Sequence, residues 1–277
     1  MPAEISHVTS PRSERVRRLK ALGTLRGRRK HGLFILEGAH AVEIALYQPA
    51  ALEELWGTQR SQERYGELFA MAREAGVPIR LTTSDIMSYV TDTVTSQEIL
   101  AVASPVHNPL EDVLTPRARC VALLESVRDP GNLGTIIRVA HAAGVDAVVT
   151  THDSVDIYNP KVVRSTTGSL LKVPIAIDQD FSTVIDRAHE CGLQVLGTSG
   201  SDAAHRLDTE VAEGSDLDIS APSLWVFGNE AHGLSAEHLS ACDTSVSVPL
   251  YGDAESLNIA IAAAICLYDC VRAQRAH

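Results

Sequence analysis

VFGNEAHGLS (Val226–Ser235) and SVPLYGDAESLNIAIAAAICLYD (Ser247–Asp269) are the stretches on which the reading of this chain turns. Each begins as a short apolar run with the character of a buried strand. Each then breaks into a loop of small and polar residues, and the second leads into a long apolar helix read as Ser256–Arg272. Such an arrangement aims loops at a ligand. Gly228 and Gly252 let backbone approach closely, and Glu230, Ser256 and Asn258 place polar groups at strand ends and at a helix start. The pair reads as a site.

Working outward, the rest of the chain repeats the pattern. Cys120–Glu125, Asp146–Thr150, Pro174–Ile177, Leu193–Leu196, Leu224–Phe227 and Ser245–Val248 read as strands, and Thr135–Ala143, Pro160–Leu171, Phe181–Cys191 and Ser235–Ala241 as helices between them. The continuous apolar character of these strands predicts a sheet covered on both faces. Ahead of them, strands at Phe34–Glu37, Leu52–Trp56, Pro78–Leu81 and Ile99–Ser104 alternate with helices running to Leu46 and over Ser61–Ala75 and Ser84–Val90, a second and smaller α/β unit. Ser104–Arg117, with three prolines and no sustained period, reads as a linker. The expected division is a basic arm over 1–30 with a capped helix start at Ser10–Arg18, a small α/β domain over 31–104, a linker over 105–117 and a larger α/β domain over 118–277.

Composition bounds the function. With 45% apolar and 21% charged residues the 277-residue chain is an ordinary globular protein. It has no apolar run of about 18 residues and no signal-peptide core at its start, so a cytoplasmic location without membrane contact is expected. Five scattered cysteines without a CxxC pair argue against a disulfide framework and against zinc, and Cys266 and Cys270 read as packing groups. The net charge of −11 is unfavourable for nucleic acid, but its distribution is uneven. Arg12, Arg15, Arg17, Arg18, Lys20, Arg26, Arg28, Arg29 and Lys30 crowd the first 40 residues against three acids. A solubilising terminal helix and an RNA contact both explain that arm.

Loops after the apolar strands are where an open α/β sheet binds ligands. ESVRDPGNLGTIIR carries a glycine turn with Asn132 and Arg138, yet it is neither GxGxxG nor GxxxxGK[ST]. In YNPKVVRSTTGSLLKVP, Lys161 and Arg164 share a helix face. LGTSG, with Thr198, is small and hydroxylated. Glu230 fits three roles: acid or base, orienter of a ligand, or helix cap. His232 and His238 lack the company of a metal site, and no GxSxG elbow marks a hydrolase.

Taken in order, NLGTIIR (Asn132–Arg138), VFGNEAHGLS and VPLYGDAESLN (Val248–Asn258) resemble the three motifs of the SpoU, or TrmH, family of RNA ribose 2′-O-methyltransferases, within the SPOUT superfamily. HGLFILEGAHAVEIAL (His31–Leu46) is similar to the start of the small RNA-binding domain that precedes the methyltransferase domain in ribosomal-RNA enzymes, those of the thiostrepton-resistance type included. The resemblance implies an α/β fold with a parallel sheet and a deep trefoil knot in the C-terminal domain, S-adenosylmethionine as methyl donor, a homodimer and no metal. By motif position it implies Gly228, Val248 and Leu257 against the cofactor with Thr198 lining the pocket, and Arg138, Asn132, Glu230, Ser256 and Asn258 as the catalytic set. RNA contacts are expected from Arg17, Arg18, Arg28, Arg29 and Lys30 of the arm and from Lys161 and Arg164. Ribosomal RNA, 23S in particular, is the expected substrate. A tRNA methyltransferase and a knotted RNA- or S-adenosylmethionine-binding protein without turnover are the alternatives, and a nucleotide-dependent oxidoreductase is disfavoured by the missing dinucleotide fingerprint.

Overall fold

A computed structural model of the protein describes residues 4–91, 96–201, 204–207 and 217–276. The chain forms two compact units, residues 1–106 with 156–171 and residues 107–155 with 172–277.

In the first unit the elements run β1 (Ile5–Val8), α1 (Glu14–Ala21), α2 (Leu25–His31), β2 (Phe34–Glu37), α3 (Ala39–Leu46), β3 (Leu52–Thr58), α4 (Gln59–Arg64), α5 (Gly66–Glu74), β4 (Ile79–Thr82), α6 (Ser84–Val90) and β5 (Ile99–Ala103). The sheet order is β1-β4-β3-β5-β2, with β1, β4 and β3 parallel and β5 antiparallel to both β3 and β2. Residues expected as a basic arm are built into this unit. β1 is an edge strand, and Val16, Leu19 and Leu22 join Trp56, Met87 and Leu100 in the core. The helix start lies at Ser13, whose hydroxyl accepts from the Val16 amide, and not at Ser10. The helix expected over Ser61–Ala75 starts earlier, at a capping box between Thr58 and Ser61, and is broken at Tyr65 (φ −119°, ψ 38°).

The chain continues through α7 (Leu110–Val113), β6 (Cys120–Leu124), α8 (Pro130–Ala143), β7 (Ala147–Thr151), α9 (Pro160–Thr166), β8 (Ile175–Gln179), α10 (Phe181–Glu190), β9 (Gln194–Thr198), β10 (His205–Arg206), β11 (Ser223–Phe227), α11 (Ala236–Ser240), β12 (Thr244–Ser247) and α12 (Ile259–Ala276). All but α9 belong to the second unit. Its seven strands are all parallel, in the order β10-β12-β9-β11-β6-β7-β8. The fully buried β6, β7 and β11 confirm a sheet covered on both faces. The proline-rich stretch read as a linker contributes Leu110, Val113 and Leu114 to the core of this unit, beside Val121, Val195 and Val226. Cys266 and Cys270 are buried on α12, as packing predicts.

Two helix boundaries matter for the site. α8 starts at Pro130, five residues before the expected Thr135, because the Asp129 carboxylate caps the Asn132 amide and a proline suits the first helical position. α12 starts at Ile259, and the Asn258 side-chain oxygen accepts from the Ala260 amide at 2.8 Å. Sequence periodicity placed both starts wrongly, because capping depends on which side chain turns back to the backbone. Among the described residues, no helix is long and apolar enough to cross a membrane.

Candidate active site

Because β12, β9, β11 and β6 are adjacent and parallel, the loops that follow them share one edge of the seven-stranded sheet. Residues 125–132, 199–200, 228–234 and 248–258 therefore meet although up to 133 positions separate them in sequence. The Asn229 side chain ties two of these loops together by donating to the Ser126 carbonyl at 2.8 Å. Ser126 itself is held at φ +53°, in the left-handed region that a residue with a Cβ seldom adopts.

A chain of polar groups crosses this edge. The Glu230 carboxylate accepts from the Asp129 amide at 3.0 Å, the Arg128 amide at 3.2 Å and the Asn132 side-chain nitrogen at 3.2 Å. The Asn132 side-chain oxygen in turn accepts from the Asn258 side-chain nitrogen at 2.9 Å. Burial works to raise the Glu230 pKa, but the hydrogen bonds from backbone amides and from Asn132 outweigh it, so the carboxyl titrates below the usual glutamate range. Of the three roles open from sequence, the observed contacts are those of an ionised group that fixes its neighbours.

Two cavities flank the polar chain and share Asn229–Gly233 as a wall. The smaller, about 360 Å³, is lined by Thr198, Gly228, Val248 and Leu257, with Ser199, Leu250, Glu255, Ser256 and Ile259. All four residues expected against a cofactor therefore line one cavity. The Thr198 hydroxyl donates to the Val226 carbonyl at 2.8 Å, so it is committed to the sheet. Gly228 is required by packing: a Cβ there would lie 2.3 Å from the Gly233 carbonyl carbon. Gly252 has open space around it and carries no such demand. The larger cleft, about 820 Å³, is lined by Glu125, Arg128, Asp129, Asn132, Glu230 and His238 among others. Sequence reading overlooked Arg128, Asp129 and Asn229. The Asp-Pro pair, a cap followed by a first-turn proline, was the signal for Asp129; nothing local marks the other two.

Arg138 stands apart. It is exposed on α8, about 240° around the helix from Asn132, and it lines neither cavity. Ser256 is exposed and lines the smaller cavity without joining the polar chain.

The expected RNA contacts lie in the first unit and divide by burial. Arg17, Arg29, Lys30 and Lys161 are exposed. Arg18 pairs with Glu54 at 3.1 Å, and Arg164 pairs with Glu37 at 3.1 Å. Arg28 must be corrected: it is 6% exposed, its Nε donates to Asp156 at 2.8 Å, and its Nη1 donates to the Leu22 carbonyl at 2.9 Å. Its guanidinium is a structural group that pairs with the half-buried Asp156, and it is withdrawn from the RNA set.

With this geometry in hand, comparison with known proteins is specific. Residues 119–268 match the SpoU rRNA Methylase family, and residues 13–101 match the MRM3-like substrate binding domain. The 23S rRNA (guanosine(2553)-2′-O)-methyltransferase RlmP of Bacillus subtilis is 36% identical over 264 residues, covering 95% of this chain and 98% of that protein. Among solved structures, the AdoMet-bound rRNA methyltransferase from Sinorhizobium meliloti superposes with a TM-score of 0.83 at 28% identity, covering 97% of this chain and 98% of that one. The SpoU methyltransferase AviRb from Streptomyces viridochromogenes, in complex with AdoMet, gives 0.82 at 27% identity, covering 96% and 100%. The expected α/β architecture is the one found in these structures, and the chain belongs to the SpoU rRNA methylase family.

Proposed function

We propose that this protein methylates a ribose 2′-hydroxyl of 23S ribosomal RNA, with S-adenosylmethionine as donor. The observation that carries the reading is the Glu230–Asn132–Asn258 chain set between two cavities that share one wall. Val248, Leu250, Leu257 and Ile259 offer apolar surface for a purine and its sugar, and the carboxylates of Glu230 and Glu255 lie where a cationic donor is favoured. When bound, S-adenosylmethionine supplies a methyl group on a sulfonium whose departing thioether is neutral, so the protein has no leaving-group charge to stabilise.

What remains for the chain is alignment and help for the hydroxyl as it loses its proton. Glu230 holds Asn132, and Asn132 and Asn258 fix the seam between the two cavities. A guanidinium is a fork of donors with no acceptor, so the role we give Arg138 is to grip a phosphate and stabilise the developing alkoxide. We assign it to the acceptor side of the reaction, across a homodimer. Two features support this: Arg138 lies outside both cavities of its own chain, and of nine exposed large hydrophobics among the described residues five (Leu250, Tyr251, Leu257, Ile261 and Tyr268) fall on the last loop and on α12, which packs against α8. The family's trefoil knot belongs to the same proposal, as do RNA contacts from Arg17, Arg29, Lys30 and Lys161.

The test is Arg138→Ala. Methyl transfer to a 23S transcript should fall by about 10²- to 10³-fold, while S-adenosylmethionine binding measured by calorimetry stays at the wild-type value. Retained turnover would remove Arg138 from the mechanism, and methylation of tRNA in place of 23S RNA would redirect the substrate assignment.

A further inference from the structure

A third cavity, about 470 Å³, lies wholly in the first unit and has no part in the polar chain described above. It is lined by His7 of β1 and Thr9 just past it, by Leu81, Thr82 and Thr83 at the end of β4, and by Gln59, Gln62 and Glu63 of α4, which follows β3. β1, β4 and β3 are parallel, and their last residues Val8, Thr82 and Thr58 are in register, so the cavity opens at the carboxyl ends of three level strands. This is the ligand-binding edge of an open α/β sheet. The Thr82 hydroxyl donates to the Val8 carbonyl at 2.7 Å and fixes the floor.

The lining selects a chemistry. Its only charged group of fixed sign is Glu63; no lysine or arginine among the described residues lines it, so a phosphate would be unmatched there. Two amides, hydroxyls, an exposed imidazole and the largely buried Leu81 side chain instead suit a flat, uncharged ring with hydrogen-bonding edges. Gln59, Gln62 and Glu63 sit three and four residues apart on one face of α4, and Gln59 donates to Glu63 at 3.2 Å, which holds the pair in place. The adjoining face of the same helix carries exposed Arg60 and Arg64, also four apart. Amides that read an edge beside arginines that hold a backbone are what single-stranded RNA requires, because its bases can be splayed out and read individually.

We propose that this cavity takes one unpaired nucleobase of the RNA substrate, with Arg60 and Arg64 on the flanking phosphates. The site is separate from the methyl-transfer edge and sets which RNA is held. The inference rests on the RNA-methylation reading for the identity of its ligand, but its test reads RNA affinity and does not need turnover.

The experiment compares wild type, Gln59→Ala/Gln62→Ala and Arg60→Ala/Arg64→Ala by filter binding to a 23S ribosomal RNA transcript at several salt concentrations. Loss of two edge contacts should weaken binding by about tenfold with the salt slope unchanged. Loss of the two arginines should weaken it and reduce the slope by about two. In a methylation assay the amide variant should raise KM for RNA by a similar factor and leave kcat and S-adenosylmethionine affinity unchanged. The altered residues lie on the surface of a short helix; should the double alanine variant lose its thermal transition, Gln62→Leu, which keeps helix and volume, replaces it. RNA affinity within twofold of wild type in a folded amide variant overturns the proposal. So does saturable binding of free adenosine, guanosine, cytidine or uridine at this cavity with no change in RNA affinity, which would mark a free-nucleoside site. Wild-type protein that binds the transcript but transfers no methyl would sink the proposed function, and the affinity comparison would still decide the cavity.

Discussion

Glu230 shows how one residue's contacts narrow its role. Two backbone amides and one side-chain amide converge on its carboxylate, and all three favour the ionised form. A carboxyl whose folded pKa is depressed contributes stability that is full above the unfolded value and is lost as pH falls through the folded value. Wild-type protein should therefore lose thermal stability as pH falls below about 4.3, the unfolded glutamate value, by more than the Glu230→Gln variant, whose amide has no such titration. Calorimetric midpoints across that range check this, and parallel curves would show that Glu230 contributes nothing to the acid limb. At this scale the sequence was informative where residues sit in strand-end loops: Asn132, Glu230 and Asn258 meet as their motif positions imply. It misled at Arg28, because the partner that buries it, Asp156, lies 128 positions away and no local pattern announces the pairing.

At the scale of the element, α8 joins helix capping to the site. The Asp129 side chain caps the Asn132 amide at 2.8 Å while the Asp129 amide donates to Glu230, so the start of the helix and the polar chain share one residue. Asp129→Ala should cost about 1 kcal/mol of stability as a lost cap. It should also lower kcat for methyl transfer more than it raises KM for the donor, since Asn132 loses its fixed first turn. Denaturant unfolding together with steady-state kinetics separates the two effects; a stability loss with unchanged kcat would reduce Asp129 to a cap. The strands were legible because apolar runs of four to six residues between turns have few alternatives. The helix start was not, since Gly131 and Gly134 read as a turn, and only the fold shows both inside α8, with Gly134 buried.

For the whole molecule, the unresolved demand is Arg138, which one chain leaves exposed and outside both cavities. α8 packs against α12, and α12 presents Ile261 and Tyr268 to solvent at 51% and 49% exposure, a pattern that a second copy would cover. If each site takes its donor wall from one chain and Arg138 from the other, complementation has an asymmetric signature. Arg138→Ala and Asn258→Ala homodimers would both be inactive. In a mixed dimer one site would combine both defects, while the other would receive wild-type Arg138 from one chain and wild-type Asn258 from the other. Co-refolding equal amounts should therefore restore about a quarter of wild-type activity, since half of randomly formed dimers are mixed and each has one intact site. Sites complete within one chain would give no recovery at all, because every site in the mixture would carry one defect. The same mixture run on a sedimenting column would report whether a dimer forms, so a monomer, which fails the oligomer proposal, is told apart from a dimer whose sites do not cross.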